Sequence, residues 1–292
     1  MGPISISSET SIYGLIGRPL RRSLSPRIHN TVFRRAGLNA VYLPFTVLGA
    51  RLAEAAAGIR ALGISGINVT IPWKEAILPH IDEISPAAAA IGAVNTISNR
   101  DGRLAGDNTD WQGFADSLAS HGCDPAGGRA AVLGAGGAAR AVLYALGKKN
   151  CQEIVIFNRT TEKAAALADH FAGQWPATAF TARPLSDFFA GRQGAAGFRL
   201  VVDTLPAAAG PELFREWPAA GGSREAGTIF YTINYRVAAL EKAVPPGWRF
   251  IDGLEMLVRQ AAASYLAWNP GLSDADGIRG QYLRLLPELR AP

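Results

Sequence analysis

A two-domain α/β protein is predicted by three features of the sequence: its length, an alternation of strand-like and helix-like segments, and a glycine-rich turn set between an apolar strand and a helix. At 292 residues the chain suffices for two domains or one large one. With 48% hydrophobic and 18% charged residues it can bury a full core, so disorder is excluded, and its 32 glycines show no collagen-like period.

Taken in order, Ser11–Gly17, Val41–Val47 and Gly66–Ile71 read as strands, and Pro26–Gly37 and Ala50–Leu62 as helices. Ala93–Ser98 and Arg103–Ala105 read as a hairpin joined by Asn99-Arg100-Asp101-Gly102. This half is a mixed α/β domain. From Arg129 the pattern becomes a regular βαβ: strand Arg129–Leu133, glycine turn, helix Ala138–Leu146, strand Glu153–Phe157, helix Thr161–Phe171 and strand Leu200–Asp203. Such alternation implies a parallel doubly wound sheet. Gly191–Gly197 and Pro206–Gly227 read as loops between its elements. The last forty residues return to helix, with Leu254, Leu257, Val258, Ala261 and Tyr265 on one apolar stripe that could pack on either half.

No apolar run approaches the roughly 18–20 residues of a membrane helix, and the N-terminus shows neither a signal-peptide pattern nor a myristoylation pattern. A soluble cytoplasmic protein is expected. Cys123 and Cys151 have no C-x-x-C spacing and no nearby histidines, which argues against a metal site or a disulfide framework. Of the 29 basic residues only 5 are lysines, and with no dense basic tract small anionic ligands fit better than nucleic acid. His29, His80, His121 and His170 show no metal or triad spacing and read as structural or surface residues.

Gly134-Ala135-Gly136-Gly137-Ala138-Ala139 closes the apolar strand and opens the helix, the context that gives a glycine motif meaning. Gly134 permits the tight turn, Gly136 lets backbone approach a pyrophosphate, and the helix start supplies unpaired N–H groups for it. A Rossmann-type dinucleotide domain follows. At the end of the next strand an NAD site would place an acid for the ribose 2′-hydroxyl, whereas this chain has Asn158-Arg159-Thr160 and then Lys163. Arg159 can meet a 2′-phosphate and Lys163 can add a point charge, so NADP is the expected cofactor.

In Ser23-Leu24-Ser25-Pro26 two hydroxyls precede a helix, where Ser25 could serve as an N-cap or the pair could hold a carboxylate. Strand alternation puts Asn68 and Thr70 on one face, Pro72 ends the strand, and Lys74 falls in a loop or a first helical turn. A helix start disfavours a cation, so Lys74 suits proton transfer better than packing. Any of Asp107-Asn108-Thr109-Asp110 could cap the next helix. Gln260, four residues after Met256 and three after Leu257, is a polar amide on an inward helix face.

These segments resemble the shikimate dehydrogenase family over essentially the whole chain. The resemblance rests on Tyr13-Gly14-Leu15-Ile16-Gly17, Ser23-Leu24-Ser25-Pro26 with Ile28-His29-Asn30, Asn68-Val69-Thr70-Ile71-Pro72 with Lys74, and Gly92-Ala93-Val94-Asn95-Thr96. Asn108-Thr109-Asp110 with Gly113-Phe114, the glycine loop, Asn158-Arg159-Thr160, Asp252-Gly253-Leu254 and Met256-Leu257-Val258 with Gln260 extend it. The resemblance implies NADPH-dependent reduction of 3-dehydroshikimate to shikimate by a monomer or homodimer, with a cleft that can close. By position, Ser23 and Ser25 would hold the substrate carboxylate, and Asn68, Thr70, Asn95, Asp110 and Gln260 the ring hydroxyls. Lys74 and Asp110 would be the catalytic pair. Thr204, Gly253 and Met256 would join the glycine loop on the cofactor side. Residues 1–109 with 253–292 would form the substrate domain, the C-terminal helices returning to it, and 110–252 the NADP domain.

Three departures from the family stand out: Arg22 where His is usual, Asp203-Thr204-Leu205-Pro206 in place of Asn-Ala-Thr-Pro, and Tyr231-Thr232-Ile233-Asn234-Tyr235 in place of Tyr-x-Pro-x-x-Thr. Tyr231 is the expected substrate tyrosine. The alternatives are a paralogue acting on quinate or aminoshikimate, favoured less because Ser25 and Thr70 are retained, and a non-catalytic NADP-binding sensor, which the presence of Lys74 and Asp110 opposes.

Overall fold

The computed structural model describes residues 6–190, 197–206, 214, 227–235 and 237–291. The chain forms two compact units, Met1–Gly113 with Leu257–Pro292 and Phe114–Met256.

In the first unit, strands β1 (Ser11–Gly17), β2 (Ala40–Thr46), β3 (Gly66–Val69), β4 (Glu83–Ile84), β5 (Thr96–Arg100) and β6 (Arg103–Asp107) form a sheet in the order β2-β1-β3-β5-β6-β4. β1 runs parallel to β2 and β3, the geometry that needs crossover connections. Helices α1 (Ser25–Arg35) and α2 (Leu52–Ala61) supply them. Leu52, Ala56 and Ile59 of α2 bury against Ile16, Ile67, Val69 and Ile97 of the sheet. Helix α3 (Pro86–Ile91) shows why its sequence is helical. Ser85 Oγ accepts from Ala88 N at 3.1 Å, Pro86 opens the first turn, and Gly92 ends it in the left-handed region.

The hairpin β5–β6 is antiparallel, as its sequence implies, with a shorter turn than the four residues expected. Arg100 pairs with Arg103, so only Asp101 and Gly102 lie between, with φ of 51° and 84°. Two positive φ values mark the turn whose twist matches that of the strands, and an Asp-Gly pair is its usual occupant.

The second unit holds β7 (Arg129–Leu133), β8 (Glu153–Asn158), β9 (Ala179–Pro184), β10 (Leu200–Asp203), β11 (Ile229–Thr232) and β12 (Arg249–Ile251). Their order is β12-β11-β10-β7-β8-β9 with every pairing parallel, a Rossmann-type doubly wound sheet. The order reverses between β7 and β10, and ligands of such sheets bind beyond the carboxyl ends of the strands at that point. Helix α4 (Asp110–Ser120) leads into this unit, and α5 (Gly137–Lys148), α6 (Thr161–Ala172), α7 (Leu185–Phe189) and α8 (Ala238–Ala243) follow. Strands β9, β11 and β12 are additions to the elements expected. β9 is an edge strand with half its positions exposed and a terminal proline, so it lacks the apolar run that marks β7 and β10. Of the expected loops, 191–196, 207–213 and 215–226 lie outside the described residues.

Helix α9 (Leu254–Trp268) carries the chain back to the first unit, followed by α10 (Ala275–Leu283) and α11 (Leu286–Arg290). The ring of Trp268 stacks on Tyr13 of β1 at 4.9 Å, and Glu288 pairs with Arg35 of α1 at 2.8 Å. Both passages between units occur inside α4 and α9 and not just before them. Asp110 therefore belongs to the first unit, whereas Gly253 and Met256 belong to the second. Among the described residues no helix is long and apolar enough to cross a membrane.

Candidate active site

The carboxyl end of β3 opens into a turn that carries Thr70, Pro72 and Lys74. Lys74 lies in this turn and not in the first turn of a helix of its own, and its electrostatic partner is a side chain. Lys74 Nζ meets Asp110 Oδ2 at 2.5 Å, with only 14% and 8% of the two side chains exposed. Asp110 is the first residue of α4, whose start is served by Asn108 Oδ1 accepting from Asp110 N at 3.1 Å. The capping role therefore falls to Asn108, and the Asp110 carboxylate is left for other partners. Its second oxygen accepts from Asn95 Nδ2 at 2.8 Å. A buried ion pair repays its desolvation only when hydrogen-bonded on all sides, so a pair kept in this position is a functional candidate.

Asn95 Nδ2 also faces Thr109 Oγ1 at 3.0 Å and Gln260 Oε1 at 3.4 Å, while Asn95 Oδ1 accepts from Thr109 N at 2.7 Å. Gln260 Nε2 donates to Leu257 O at 2.8 Å, which turns its carbonyl toward Asn95. Asn68 donates through Nδ2 to Ser264 Oγ at 2.9 Å and Asn95 O at 3.1 Å. Thr70 is half-buried, its backbone N donating to Ile16 O at 2.9 Å. Lys74, Asp110, Asn95, Gln260 and Asn68 thus form one hydrogen-bonded cluster. Thr96, Thr109 and Ser264 complete it, with Ser264 Oγ at 2.8 Å from Thr96 Oγ1 and 3.0 Å from Thr109 Oγ1. Sequence reading missed Ser264, although its spacing of four from Gln260 on α9 places both on one helix face.

Ser25 is the first residue of α1 and not its N-cap; Leu24 holds that place, with no side-chain capping bond. Ser25 N donates to Ser23 Oγ at 3.3 Å, and the two hydroxyls lie 3.3 Å apart. Two hydroxyls beside a helix start form an arrangement suited to a carboxylate. Tyr231 departs from expectation. It lies within β11, fully buried, with its hydroxyl donating to Ser117 Oγ at 3.0 Å and its ring edge-on to Phe114. The tyrosine beyond the carboxyl end of β11 is Tyr235, half-buried, which is where a parallel sheet presents side chains to ligands. Arg22 is exposed.

In the second unit Gly134 takes φ +111°, and a Cβ there would lie 2.5 Å from Thr204 Oγ1. Thr204 itself donates to Leu133 O at 2.8 Å, bracing the turn from β10. The N-cap of α5 is the exposed Gly136, with no side-chain cap, while Ala135, Gly137 and Ala138 are partly exposed around it. An added Cβ at Gly136 would meet nothing within 4 Å, so there is open space beside the start of α5 for a pyrophosphate. Asn158 Nδ2 donates to Thr160 O at 2.9 Å, fixing the end of β8, and Arg159, Thr160 and Lys163 are exposed beside it. These residues fit NADP. Gly253 N donates to Asn234 O at 2.9 Å, Asp252 Oδ1 accepts from Leu254 N at 3.2 Å to cap α9, and Met256 is buried. Among the described residues no cluster of three or more His, Cys, Asp or Glu side chains could hold a metal.

Asp203, the departure at the end of β10, is fully buried. It accepts from Thr232 Oγ1 at 2.8 Å, Leu205 N at 3.0 Å and Asn234 Nδ2 at 3.4 Å. Burial outweighs these donors and pushes its carboxyl up to about 6 from the ordinary 3.8. Between those values the folded chain holds a proton that the unfolded chain has lost, so stability falls as pH rises through the window. The penalty is complete above about pH 6 and reaches about 3 kcal/mol at most. Asp203→Asn should flatten this slope and raise Tm at neutral pH, measured by thermal unfolding of both proteins from pH 4 to 8. Parallel Tm curves for the two would refute it.

Two family models match the chain, one described as the shikimate dehydrogenase substrate binding domain over residues 15–97 and one as shikimate / quinate 5-dehydrogenase over residues 117–187. A shikimate dehydrogenase (NADP(+)) of Moorella thermoacetica is 43% identical over 275 residues, spanning 91% of this chain and 90% of its own. The crystal structure of shikimate 5-dehydrogenase from Listeria monocytogenes in complex with shikimate and NAD gives a TM-score of 0.81 at 32% identity, covering 94% of this chain and 97% of that one. The enzyme from Thermus thermophilus in complex with NADP(H) and shikimate gives 0.75 at 32% identity, over 94% and 100% of the two chains.

Proposed function

The chain belongs to the shikimate dehydrogenase family, and from that premise we propose how its residues divide the work of the NADP-dependent interconversion of 3-dehydroshikimate and shikimate. The 2.5 Å contact of Lys74 with Asp110, buried and held by Asn95, carries the reading.

Ser23 and Ser25 donate their hydroxyls to the substrate carboxylate at the start of α1, whose partial positive charge assists them. Asn68, Thr70, Asn95 and Gln260 take the ring hydroxyls, whose donors and acceptors match amides and a hydroxyl. On the cofactor side the amides following Gly134, Ala135 and Gly136, with Gly137 and Ala138 opening α5, hold the pyrophosphate. Asn158, Arg159, Thr160 and Lys163 hold the 2′-phosphate end, and Thr204, Gly253 and Met256 line the nicotinamide side. When bound, NADPH supplies a hydride to the substrate carbonyl carbon.

As the C=O π bond breaks, its electron pair moves to oxygen, and Lys74 meets that growing negative charge with an ammonium hydrogen bond. The proton then passes from Lys74 Nζ to the oxygen, giving the alcohol and leaving a neutral amine that solvent reprotonates. Asp110 orients Lys74 through Oδ2 while Asn95 fixes Oδ1, so the carboxylate cannot rotate away. In the reverse direction Lys74, as the amine, removes the hydroxyl proton. A reaction drawing on the NADPH pool suits a cytoplasmic enzyme.

The test is absorbance in the NADPH band on mixing the protein with NADP and shikimate, against parallel runs with quinate and with NAD. Faster turnover is expected with shikimate and NADP than with either replacement. A higher kcat/KM for quinate would overturn the substrate, and one for NAD the cofactor.

A further inference from the structure

Tyr42 takes no part in the chemistry above, yet both its ring and its peptide are held in place. Its side chain is 1% exposed. The ring of His29 lies parallel to it at 4.3 Å with an interplanar angle of 9°. His29 in turn shares a 2.7 Å hydrogen bond between Nδ1 and the Tyr282 hydroxyl, and burial pushes its imidazole down to about 3, so it is neutral. β2 is the edge strand, and Asn30 takes the place of a further strand beside it: Asn30 Nδ2 donates to Tyr42 O at 2.9 Å, and Tyr42 N donates to Asn30 Oδ1 at 2.8 Å. The Ile28-His29-Asn30 segment of α1 therefore fixes both the ring and the peptide of one tyrosine.

What that tyrosine holds is the substrate side of the cluster. Its hydroxyl donates to Asn68 Oδ1 at 2.9 Å. Asn68 has two N–H groups and two lone pairs to place. The N–H groups are committed to Ser264 Oγ and to the carbonyl of Asn95, an obligate acceptor that forbids the flipped amide. One lone pair of Oδ1 is taken by Tyr42. The single valence left on Asn68 is thus an acceptor.

Resting on the assignment of Asn68 to the substrate, we propose that Tyr42 is a positioning residue for shikimate, its hydroxyl fixing Asn68 as the acceptor of a ring hydroxyl. Nothing in this role touches the proton or the hydride, so it is a matter of binding.

Tyr42→Phe removes one oxygen and keeps the ring that His29 and Asn30 hold. It should raise KM for shikimate about tenfold, leave kcat within about twofold, and leave KM for NADP unchanged. Tyr282→Phe, an equally buried loss of a hydroxyl bound to His29, should lower Tm without moving either KM. In an Asn68→Ala background, which itself raises KM for shikimate, adding Tyr42→Phe should raise it by less than about threefold more, since the group it positions is gone. If Asn68→Ala raises KM while Tyr42→Phe alone does not, the positioning role is refuted and the assignment of Asn68 stands. If Asn68→Ala leaves KM unchanged, the assignment of Asn68 fails first and takes the proposal with it. A Tyr42→Phe protein that loses kcat and both KM values together, with a lowered Tm, would also overturn it in favour of a plain packing role.

Discussion

Replacing Lys74 by alanine should lower kcat by roughly 10²–10⁴-fold, the range for losing a general acid or an oxyanion donor, while NADPH affinity changes by no more than about twofold. The physical reason lies in what the reaction creates. Hydride addition puts a full negative charge on an oxygen, and Lys74 is the ammonium held for it, 2.5 Å from a carboxylate that is itself fixed by Asn95. The substitution also strands Asp110, whose side chain is 8% exposed, without its cation. Uncompensated burial of that charge should lower stability by several kcal/mol, so Tm must be recorded beside the kinetics. Lys74→Arg keeps the charge and restores the ion pair. It should recover Tm but not kcat, because a guanidinium does not release its proton near neutral pH. A folded Lys74→Ala protein retaining more than a tenth of the parent kcat would reduce Lys74 to a binding residue.

Arg159→Ala should raise KM for NADP by one to two orders of magnitude and leave the slower reaction with NAD nearly unchanged. A charge-assisted contact to phosphate is worth about 1.5–3 kcal/mol, which sets the range. Arg159 is exposed at the end of β8, so Tm should hold, and the effect should shrink with added salt as screening grows. Equal losses with the two cofactors would show that Arg159 does not read the 2′-phosphate.

Where the fold was legible, a single physical signal was strong. β7 and its glycine turn announce themselves because a fully buried parallel strand must be an unbroken apolar run, and because the turn residue sits at φ +111° against Thr204. β9 escapes for the opposite reason: none of its positions is fully buried, and Ala-Phe-Thr-Ala-Arg-Pro has no apolar run to read. Lys74 stands out through its residue type, but it begins no helix of its own; its partner is Asp110, distant in sequence. Which of Asp107 to Asp110 would cap α4 depended on Asn95 and Lys74 claiming Asp110 from elsewhere in the fold, and local spacing holds no trace of that. In the degraded motif Tyr231 and Tyr235 look alike, and only the end of β11 separates a core tyrosine from one at the ligand-facing edge.

The first unit is built from both ends of the chain, with α9, α10 and α11 closing over β1 and α1, and this has a consequence for how the protein comes into being. A ribosome delivers residues in order, at roughly 5–20 per second, and domains fold as they emerge. The dinucleotide half can reach its final form as soon as the chain through Met256 has appeared. The substrate half cannot: until Leu257–Pro292 follow, Gly66 lacks the indole that covers it, Asn68 lacks Ser264, and Asn95 lacks Gln260. A growing chain can therefore hold its cofactor before it can hold its substrate. Nascent chains that stall short of α9 are catalytically silent however well their nucleotide half has folded.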